Sequence, residues 1–432
     1  MSCHNGDSNV ISNITWLMFD KILILIMNML VTVEIANYYG AYEYGTYQYA
    51  VTIVAIFELL VAFSDGRVFK KHFLTNDEDI VVGTATMSRI LFSGLSLLIG
   101  ICFIFLFNAD KKFNTIFIIL LINAIVLNFK FGMSTRFEYN LKSKHVVIAS
   151  DISLILGFFL QFIAVKKQYD IIFIAYITVI TSLINVIIQY IQYKHKYSDG
   201  NILRFDKNLL KTVLVESAPL ALAAACSNIY SRCDTLMVGA MLSKADVGVY
   251  AIAGKLIAVT QIGIVPIRES VYPKLIQLYS KDKMKYAEKY VQITSILSWI
   301  CIIGIFVSFI VLPYCFNFLS QDYELAYPVY QIYVIGTFFL YNAGLRAGHF
   351  TLTGNGNILL ISQIVCVVLN LILNFFLISL FGIYGAAMAT VITQGLSLLF
   401  LNLFFKEGRR VFFWQITALN PRWAVGCIKK GE

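Results

Sequence analysis

The chain has 432 residues, of which 59% are hydrophobic and only 14% are charged, and its formal net charge is +9. In soluble domains about a quarter of the residues are charged, so the composition excludes a soluble globular enzyme, a disordered chain, a coiled coil and a small disulfide scaffold. The eight cysteines show no CxxC and no zinc-ligand spacing, and we expect no metal site and no cofactor. Such a composition is typical of a protein with many membrane-spanning segments.

Apolar segments separated by short polar breaks follow one another along the whole chain. A helix needs about 20 apolar residues to cross a bilayer, and segments such as 116–122 lack the alternation of a transmembrane barrel strand. The pattern predicts an all-α polytopic membrane protein. We expect twelve transmembrane helices, at residues 13–37, 44–65, 82–107, 114–134, 146–165, 171–192, 213–241, 248–272, 291–313, 328–351, 358–380 and 383–405.

Lys and Arg are distributed unevenly among the predicted loops. One set of alternate loops, together with the C-terminal segment, holds 22 of these residues, and the other set holds 5. Because cytoplasmic loops collect basic residues, the first set is predicted to be cytoplasmic. The positive net charge then reflects orientation, and no nucleic-acid partner is expected. An even number of spans places both termini in the cytoplasm.

The longest basic connection divides the predicted spans into two sets of six. A weak repeat supports this division, because the motif that starts at Gly45 and ends at Tyr47 recurs from Gly248 to Tyr250 at the same turn of each half. Both halves have an even helix count, which predicts a pseudo-twofold axis along the membrane normal. We expect an N-terminal six-helix lobe at 1–192, a cytoplasmic basic linker at 193–212, a C-terminal six-helix lobe at 213–405 and a cytoplasmic basic tail at 406–432.

Ionisable residues inside the predicted spans are the first candidates for function. A charge at the bilayer centre costs about 2.5–3.5 kcal/mol on insertion scales, so such residues usually face a bundle interior or a water-filled cavity. Helical spacing groups them into polar stripes: Lys130 and Ser134 share one, and Asn342, Arg346 and His349 share another. The alternative is that they pair with acidic neighbours and only hold helices together.

From these stripes we infer a water-filled cleft lined by Lys and Arg. Guanidinium and ammonium groups suit phosphate oxygens, and amide groups suit sugar hydroxyls, so the expected ligand carries both. The candidate substrate-binding residues are Lys21, Asn28, Arg89, Lys130, Asn228, Arg232, Lys255, Asn342 and Arg346. The candidates for ion coupling or charge pairing are Asp20, Glu58, Glu216 and Asp234.

Three segments resemble a known family of membrane proteins. Residues 232–239, followed by 246–253, resemble the seventh-to-eighth helix region of bacterial polysaccharide transporters. The first loop, 41–47, and the last hairpin, 381–390, are similar to theirs. The resemblance points to Wzx-type O-antigen flippases, within the superfamily that includes multidrug and toxin extruders. The turn at 166–170 departs from the pattern, because it lacks the glycines of the last hairpin.

The resemblance implies a MATE-like, two-lobed fold of twelve helices with alternating access in a bacterial inner membrane. It implies a flippase that moves undecaprenyl-pyrophosphate-linked oligosaccharide repeat units from the cytoplasmic to the periplasmic leaflet, alongside the O-antigen polymerase machinery. It also implies coupling to an H⁺ or Na⁺ gradient that intramembrane carboxylates sense. The expected partners are the lipid-linked substrate and membrane lipids, and no enzyme activity is expected.

Two other functions remain open from the sequence. A drug or cation antiporter of the same fold would favour an acidic, aromatic cavity, and the deep cations argue against it. A membrane-embedded O-antigen polymerase or ligase would carry a large outside loop, whereas the longest predicted outside loop, near residues 314–327, is short.

Overall fold

The computed structural model describes residues 4–107, 110–197, 202, 204–261 and 263–424, with side chains described from Met27 onward and at Ile24. Every long regular element in these ranges is a helix, which confirms the all-α prediction. Ten of the described helical segments are long and apolar enough to cross a membrane. Contacts within the chain divide it into unit 1, residues 1–224, and unit 2, residues 225–432.

Unit 1 is built around helices that belong to the first half of the predicted spans. Their bounds are α1 His4–Phe57, α2 Gly66–His72, α3 Glu78–Phe107, α4 Lys111–Asn128, α5 Phe131–Tyr139, α6 Ser143–Lys166, α7 Ile172–Lys196 and α8 Lys207–Met241, of which α8 continues into unit 2. A 3₁₀ segment, Glu58–Phe63, follows α1. Helix α4 packs against α3 and α7, and α6 packs against α1 and α7.

Unit 2 repeats this helix order. Its bounds are α9 Lys244–Gln261, α10 Ile264–Lys281, α11 Lys283–Phe316, α12 Ala326–Asn342, α13 Arg346–Leu352, α14 Gly356–Phe381, α15 Ile383–Leu398 and α16 Lys406–Thr417, with 3₁₀ segments at Gln321–Tyr323 and Phe400–Phe404. Helix α15 packs against α12 and α14, and α12 also packs against α9 and α11. The pairs α4–α7, α6–α7 and α3–α4 of unit 1 therefore have counterparts in α12–α15, α14–α15 and α11–α12.

The first two predicted spans form two helices that meet at a kink within α1. Gly40 has φ 73° and ψ 172°, outside the helical region, and the helix resumes directly after it. The break predicted between the first two spans is present, but it is a kink at one residue and not a loop over residues 38–43. Glycine adopts a positive φ without the steric cost of a Cβ, so one residue is enough to change the direction of the chain.

One predicted span in each unit is divided into a longer and a shorter helix. In unit 1 the division between α4 and α5 falls at Phe129 and Lys130, and in unit 2 α12 ends at Asn342 while α13 begins at Arg346. The prediction of continuous helices was wrong here. The second polar stripe is divided between α12 and α13, whereas the Ser134 amide donates to the Lys130 carbonyl oxygen at 2.9 Å, so the first stripe lies on one helical turn. Interruptions are tolerated where neighbouring elements satisfy the freed backbone groups, and in matching places of two halves they are typical of transporter binding sites.

The boundary between the two units falls inside α8, after Ala224. The first turns of α8 belong to unit 1 because Leu209 and Val213 are buried in one apolar cluster with Phe69 and Val82. The lobes expected from the sequence stay a prediction. The segment expected as a basic tail begins with a regular helix, α16, which the sequence interpretation missed.

Candidate functional site

A polar cavity of about 320 Å³ lies inside unit 1, between α1, α4, α6 and α7. Its polar lining includes Asn28, Ser150, Ser153, Ser182 and Asn185. Polar side chains inside a membrane bundle are costly unless they line a hydrated space or bind one another. Of the candidates named from the sequence, Asn28 lies directly in this lining.

Lys130 lies at the break between α4 and α5, beside this cavity. Its ammonium group donates a hydrogen bond to Asn185 Oδ1 at 3.0 Å. One turn further along, the Ser134 hydroxyl donates to Gln189 Oε1 at 2.7 Å. No carboxylate pairs with Lys130 in the part of the chain that the structure describes. The lysine therefore brings a positive charge to the polar cavity that no acidic side chain there neutralises.

An apolar slot of about 220 Å³ adjoins the polar cavity. Val31, Phe158 and Gln161 line both spaces. Glu34 also lines the slot, and its carboxylate forms an ion pair with Lys166 at 2.9 Å. Unit 1 thus offers a polar space and an apolar space side by side, as an amphiphilic ligand requires.

The carboxylate of Asp234 is buried in unit 2, with 7% of the residue exposed. Neutral side chains donate its hydrogen bonds: Tyr250 at 2.9 Å, Asn370 at 3.2 Å, Asn374 at 2.7 Å, and Thr390. No cation pairs with Asp234 among the described residues. A buried carboxylate without a cation is costly, so this arrangement can take up a proton or a small cation.

The two asparagines around Asp234 lie one turn apart on α14. The Asn374 amide also donates to Asn370 Oδ1 at 3.1 Å. The remaining oxygen, Asn374 Oδ1, is buried and has no hydrogen-bond partner among the described residues. Buried polar atoms are normally satisfied, and an amide oxygen beside a carboxylate is a suitable ligand for a hard cation.

Arg346 begins α13 and is buried in unit 2, with 4% of the residue exposed. Its Nε donates to Asn402 Oδ1 at 2.8 Å and its Nη2 donates to Ser362 Oγ at 2.6 Å. On the other side of the same break, the Asn342 amide donates to Ser298 Oγ at 3.0 Å. No carboxylate pairs with Arg346 in the described ranges. Each interrupted span therefore carries a cation that neutral oxygens hold.

Arg89 and Glu58, both in unit 1, lie at the junction of α1 and α3. Arg89 Nε donates to the Ser64 carbonyl oxygen at 3.0 Å, and the guanidinium carbon lies 3.8 Å from the centre of the Phe131 ring. Glu58 attracts the same guanidinium electrostatically. Local contacts of unit 1 therefore engage this arginine, and it does not line the polar cavity.

Glu216 lies near the start of α8 in unit 1. Its carboxylate accepts a hydrogen bond from Lys71 Nζ at 2.9 Å and lies 3.3 Å from His72 Nε2. These contacts join α2 to α8. Of the two roles proposed for Glu216 from the sequence, the geometry is that of a charge pair.

The remaining candidates are not brought together in one place. Asn228 on α8 and Lys255 on α9 are exposed, and Arg232 is half-buried. Arg232 forms no ion pair within the described residues. Asp20 and Lys21 belong to α1, but their side chains lie outside the part of the chain that the structure describes.

Sequence reasoning missed several neutral residues that complete these sites. They are Asn185 beside Lys130, and Asn370, Asn374 and Thr390 around Asp234. A charge inside an apolar segment is conspicuous, whereas one amide is not. The spacing of Asn370 and Asn374 by four residues in a strongly apolar segment was the available indication, because it places both amides on one helix face.

Solved structures of other membrane proteins share this arrangement of helices. The fold is similar to the inward-facing conformation of a multidrug resistance MATE family transporter of the MOP superfamily, with a TM-score of 0.70 and 13% identity over 96% of this chain and 100% of that one. It is also similar to the lipid II flippase MurJ in an inward closed conformation, with a TM-score of 0.69 and 16% identity over 96% of this chain and 93% of that one. The protein is a multi-pass membrane protein with a MATE- and MurJ-like fold.

The family follows from the sequence. The family model described as "Polysaccharide biosynthesis protein" matches residues 10–279, and the MatE model matches residues 219–376. The chain belongs to the polysaccharide biosynthesis protein family. This confirms the resemblance drawn from the three segments.

Two curated relatives show how far the likeness to named proteins extends. The "Putative O-antigen transporter" of Shigella dysenteriae is 31% identical over 154 residues, which are 34% of this chain and 38% of that protein. The "Probable low-salt glycan biosynthesis flippase Agl15" of Haloferax volcanii is 26% identical over 166 residues, which are 38% of this chain and 35% of that protein. The chain spans about a third of the length of these curated relatives.

Proposed function

We propose that the protein is a flippase that moves undecaprenyl-pyrophosphate-linked O-antigen repeat units from the cytoplasmic to the periplasmic leaflet of a bacterial inner membrane. The family supports a lipid-linked glycan as the substrate class, and the two curated relatives are named as an O-antigen transporter and a glycan flippase. An oligosaccharide cannot cross lipid unaided, because each unsatisfied hydroxyl costs a few kcal/mol. A polar interior removes that barrier.

The observation that carries the proposal is the position of Lys130. The ammonium group is bound to a neutral amide beside the polar cavity of unit 1, and no carboxylate among the described residues neutralises it. A positive charge kept inside a membrane bundle suits a negatively charged ligand. The pyrophosphate of a lipid-linked sugar supplies that charge, and the amide and hydroxyl groups of the lining suit the sugar.

Asp234 is the proposed site of ion coupling. A buried carboxylate surrounded by neutral donors is stabilised when a proton or Na⁺ arrives, and the unpartnered Asn374 oxygen adds a second ligand for a cation. Binding and release of that ion would change the stability of unit 2 during each cycle. Alternating access driven by an ion gradient needs such a two-state element.

We further propose the topology of twelve spans with both termini cytoplasmic. Helix α1 supplies two spans when it is divided at Gly40, although it counts as one of the ten long apolar segments. Helices α12 and α13 together complete one more span that neither forms alone. These two additions turn ten segments into twelve.

A drug or cation antiporter is the second candidate, and a specific observation favours it. The MatE model matches residues 219–376, a range that contains Asp234 and both of its asparagine partners. A buried acid is suited to a cationic ligand as well as to a coupling ion. The position of Lys130 argues for the glycolipid, and transport measurements separate the two.

Reconstitution tests the proposal. Purified protein in liposomes is given defined lipid-linked oligosaccharides or a cationic dye, with and without a proton or sodium gradient. We expect the glycolipid to change leaflet faster than in protein-free liposomes, with acceleration by one of the gradients. Movement of the dye alone would contradict the glycolipid proposal and support the antiporter.

A further inference from the structure

Another cavity, of about 450 Å³, lies in unit 2, where α10 turns into α11 and α16 begins. We call it the aromatic–basic cavity. Its lining includes Tyr279, Lys283, Tyr286, His349, Arg410 and Trp414. These residues come from four helices, α10, α11, α13 and α16, and none of them was placed in the transport site above.

Two cations of the aromatic–basic cavity have weak contacts with the protein. The Lys283 ammonium group lies 5.7 Å from the centre of the Tyr279 ring. Arg410 makes one long contact, 3.3 Å, with Glu407, whose carboxylate also lines the cavity, and the Arg410 side chain is 67% exposed. Exposed pairs of this kind contribute little to stability, so both cations are available to an anion. Arg in particular can hold phosphate oxygens with two parallel hydrogen bonds.

The wall of the cavity contains a buried polar atom without a partner. His349 Nδ1 lies 2.9 Å from the Tyr286 hydroxyl, and its Nε2 has no hydrogen-bond partner among the described residues. The imidazole lies between aromatic rings, 5.8 Å from Tyr286 and 5.1 Å from Trp414. When the tyrosine hydroxyl donates to Nδ1, Nε2 carries the ring proton and lacks an acceptor.

Helix α16 indicates where the cavity lies relative to the membrane. Val411 and Gln415 are buried in the protein, whereas Phe413 is 61% and Ile416 is 42% exposed. Arg409 and Arg410 lie on the same helix and are exposed. A short helix with exposed apolar side chains and arginines lies in the membrane surface, at the level of the headgroups. Aromatic residues such as those of the cavity are enriched at that level.

We propose that the aromatic–basic cavity binds a phosphate group, held by Lys283 and Arg410, and that the phosphate belongs to the headgroup of an anionic membrane lipid. Basic pockets among membrane helices are suited to such headgroups. The headgroup phosphate lies at the depth of α16, the glycerol region faces the tyrosines and Trp414, and the acyl chains stay in the bilayer. Bound lipid fixes α16 against α11 and α13. The proposal is independent of the transported substrate.

The test measures the thermal unfolding midpoint of the full chain in a neutral detergent. Phosphatidylglycerol, phosphatidylcholine, or inorganic phosphate at matched ionic strength is added, because a ligand that binds only the folded state raises the midpoint. We expect phosphatidylglycerol to raise it, and the variant Lys283→Gln/Arg410→Gln to bind this lipid roughly 10- to 30-fold more weakly. The matched control is Lys281→Gln/Arg422→Gln, which removes two exposed cations that do not line the cavity.

The outcomes separate the possible sources of phosphate. A response to phosphatidylglycerol alone, lost in the Lys283/Arg410 variant and kept in the control, supports the lipid headgroup. An equal response to inorganic phosphate with the same loss supports the phosphate site but assigns it to a soluble ligand. An equal response to phosphatidylcholine, no response at all, or an unchanged response in the Lys283/Arg410 variant overturns the proposal. If the double variant unfolds, native mass spectrometry of the single variant Lys283→Gln replaces it by counting the lipids that stay bound. Fewer bound phosphatidylglycerol molecules than in the wild type support the proposal, and an equal number overturns it.

Discussion

Units 1 and 2 use corresponding helices for different chemistry. In unit 1 the Tyr47 hydroxyl contacts Thr178 Oγ1 at 3.3 Å. In unit 2 the corresponding tyrosine and threonine, Tyr250 and Thr390, both donate hydrogen bonds to the Asp234 carboxylate. The tyrosines are the matching members of the sequence repeat. The Tyr–Thr pair is thus common to both units, and the buried acid occurs in unit 2.

Helix α14 of unit 2 and the corresponding helix α6 of unit 1 carry different side chains. In unit 2, α14 supplies Asn370 and Asn374, which both donate to the acid. Thr178 and Thr390 are 212 positions apart, and at the same offset from Asn370 and Asn374 helix α6 carries Phe158 and Phe162. Both phenylalanines line the apolar slot of unit 1. A carboxylate at this depth is costly unless its donors are present. Unit 2 carries the acid together with its amide donors, and unit 1 carries aromatic rings in place of the amides. Since unit 1 packs its helices without this acid, we infer that Asp234 has a function beyond holding helices together.

The largest expected effect comes from removing the acid. Asp234→Asn keeps the shape but removes the charge, and it turns one amide donor toward Asn370 and Asn374. We expect gradient-driven glycolipid transport to fall about 100-fold, the equivalent of about 2.7 kcal/mol, because a neutral amide cannot take up and release the coupling proton or cation as the carboxylate does. Leaflet assays with and without a gradient measure this. Asp110→Asn, which removes an exposed carboxylate that lines neither space of unit 1, is the matched control. If glycolipid transport by Asp234→Asn depended on the gradient as strongly as transport by the wild type, Asp234 would not be the coupling site that distinguishes unit 2 from unit 1.

The second-largest expected effect comes from removing the Lys130 cation of unit 1. Lys130→Ala removes the cation beside the polar cavity, and we expect glycolipid transport to fall roughly 10- to 100-fold, the equivalent of one or two charge-assisted hydrogen bonds. Lys130→Arg keeps the charge and should retain most activity. Lys167→Ala, an exposed lysine outside the cavity, is the matched control. Equal losses in the Ala and Arg variants would show that charge is not what matters.

A third effect concerns the hairpin that positions the amides of α14. A Cβ at Gly385 would lie 2.0 Å from the Leu377 carbonyl oxygen, so α14 and α15 would have to separate. We expect Gly385→Ala to lower stability by about 1–3 kcal/mol, measured as a lower thermal midpoint in detergent. Gly94→Ala has open space around its Cβ and should be neutral or slightly stabilising. Equal midpoints for the two variants would contradict the close approach.

The smallest effect concerns the corresponding turn of unit 1. Partial burial of Asp170 raises the pKa of its carboxyl group, but the hydrogen bond from the Ile172 amide and the ion pair with Lys112 outweigh burial, so the pKa lies below its ordinary value. A lowered folded-state pKa stabilises the protein above the unfolded value, near 4, and this contribution is lost as pH falls through the folded value.

We expect Asp170→Asn to lower stability by about 0.5 kcal/mol at neutral pH, because the group is partly exposed. The difference from the wild type should shrink as pH falls through the lowered pKa of the wild-type carboxyl group, because that group then also becomes neutral. Thermal midpoints across pH 3–7 measure this. A difference that persists at the acid end would assign the effect to the amide itself and not to the charge.

Glycine use in these two turns shows how far local sequence reasoning reaches. The sequence showed that residues 166–170 lack the glycines of the last hairpin, and this departure is real. It did not show that Gln168 adopts a positive φ, 59°, where Gly382 has 58°. Each of the two turns therefore contains a residue with a positive φ, and in unit 1 this residue is not the glycine that favours it. Backbone shape is set by the helices that the turn joins, and not by the turn alone.

The sequence by itself determined the class of the protein, the approximate place of its spans, the excess of basic residues in alternate loops and the family. These properties are local, because about 20 consecutive apolar residues have few alternatives to a membrane helix. Only the tertiary structure decided which polar residues share a site. Asp234 and Asn374 are 140 positions apart, and Lys130 and Asn185 are 55 apart. Their contacts depend on how helices pack, which no single helix encodes, and so the interruption of two spans and the assignment of each buried charge came from the structure.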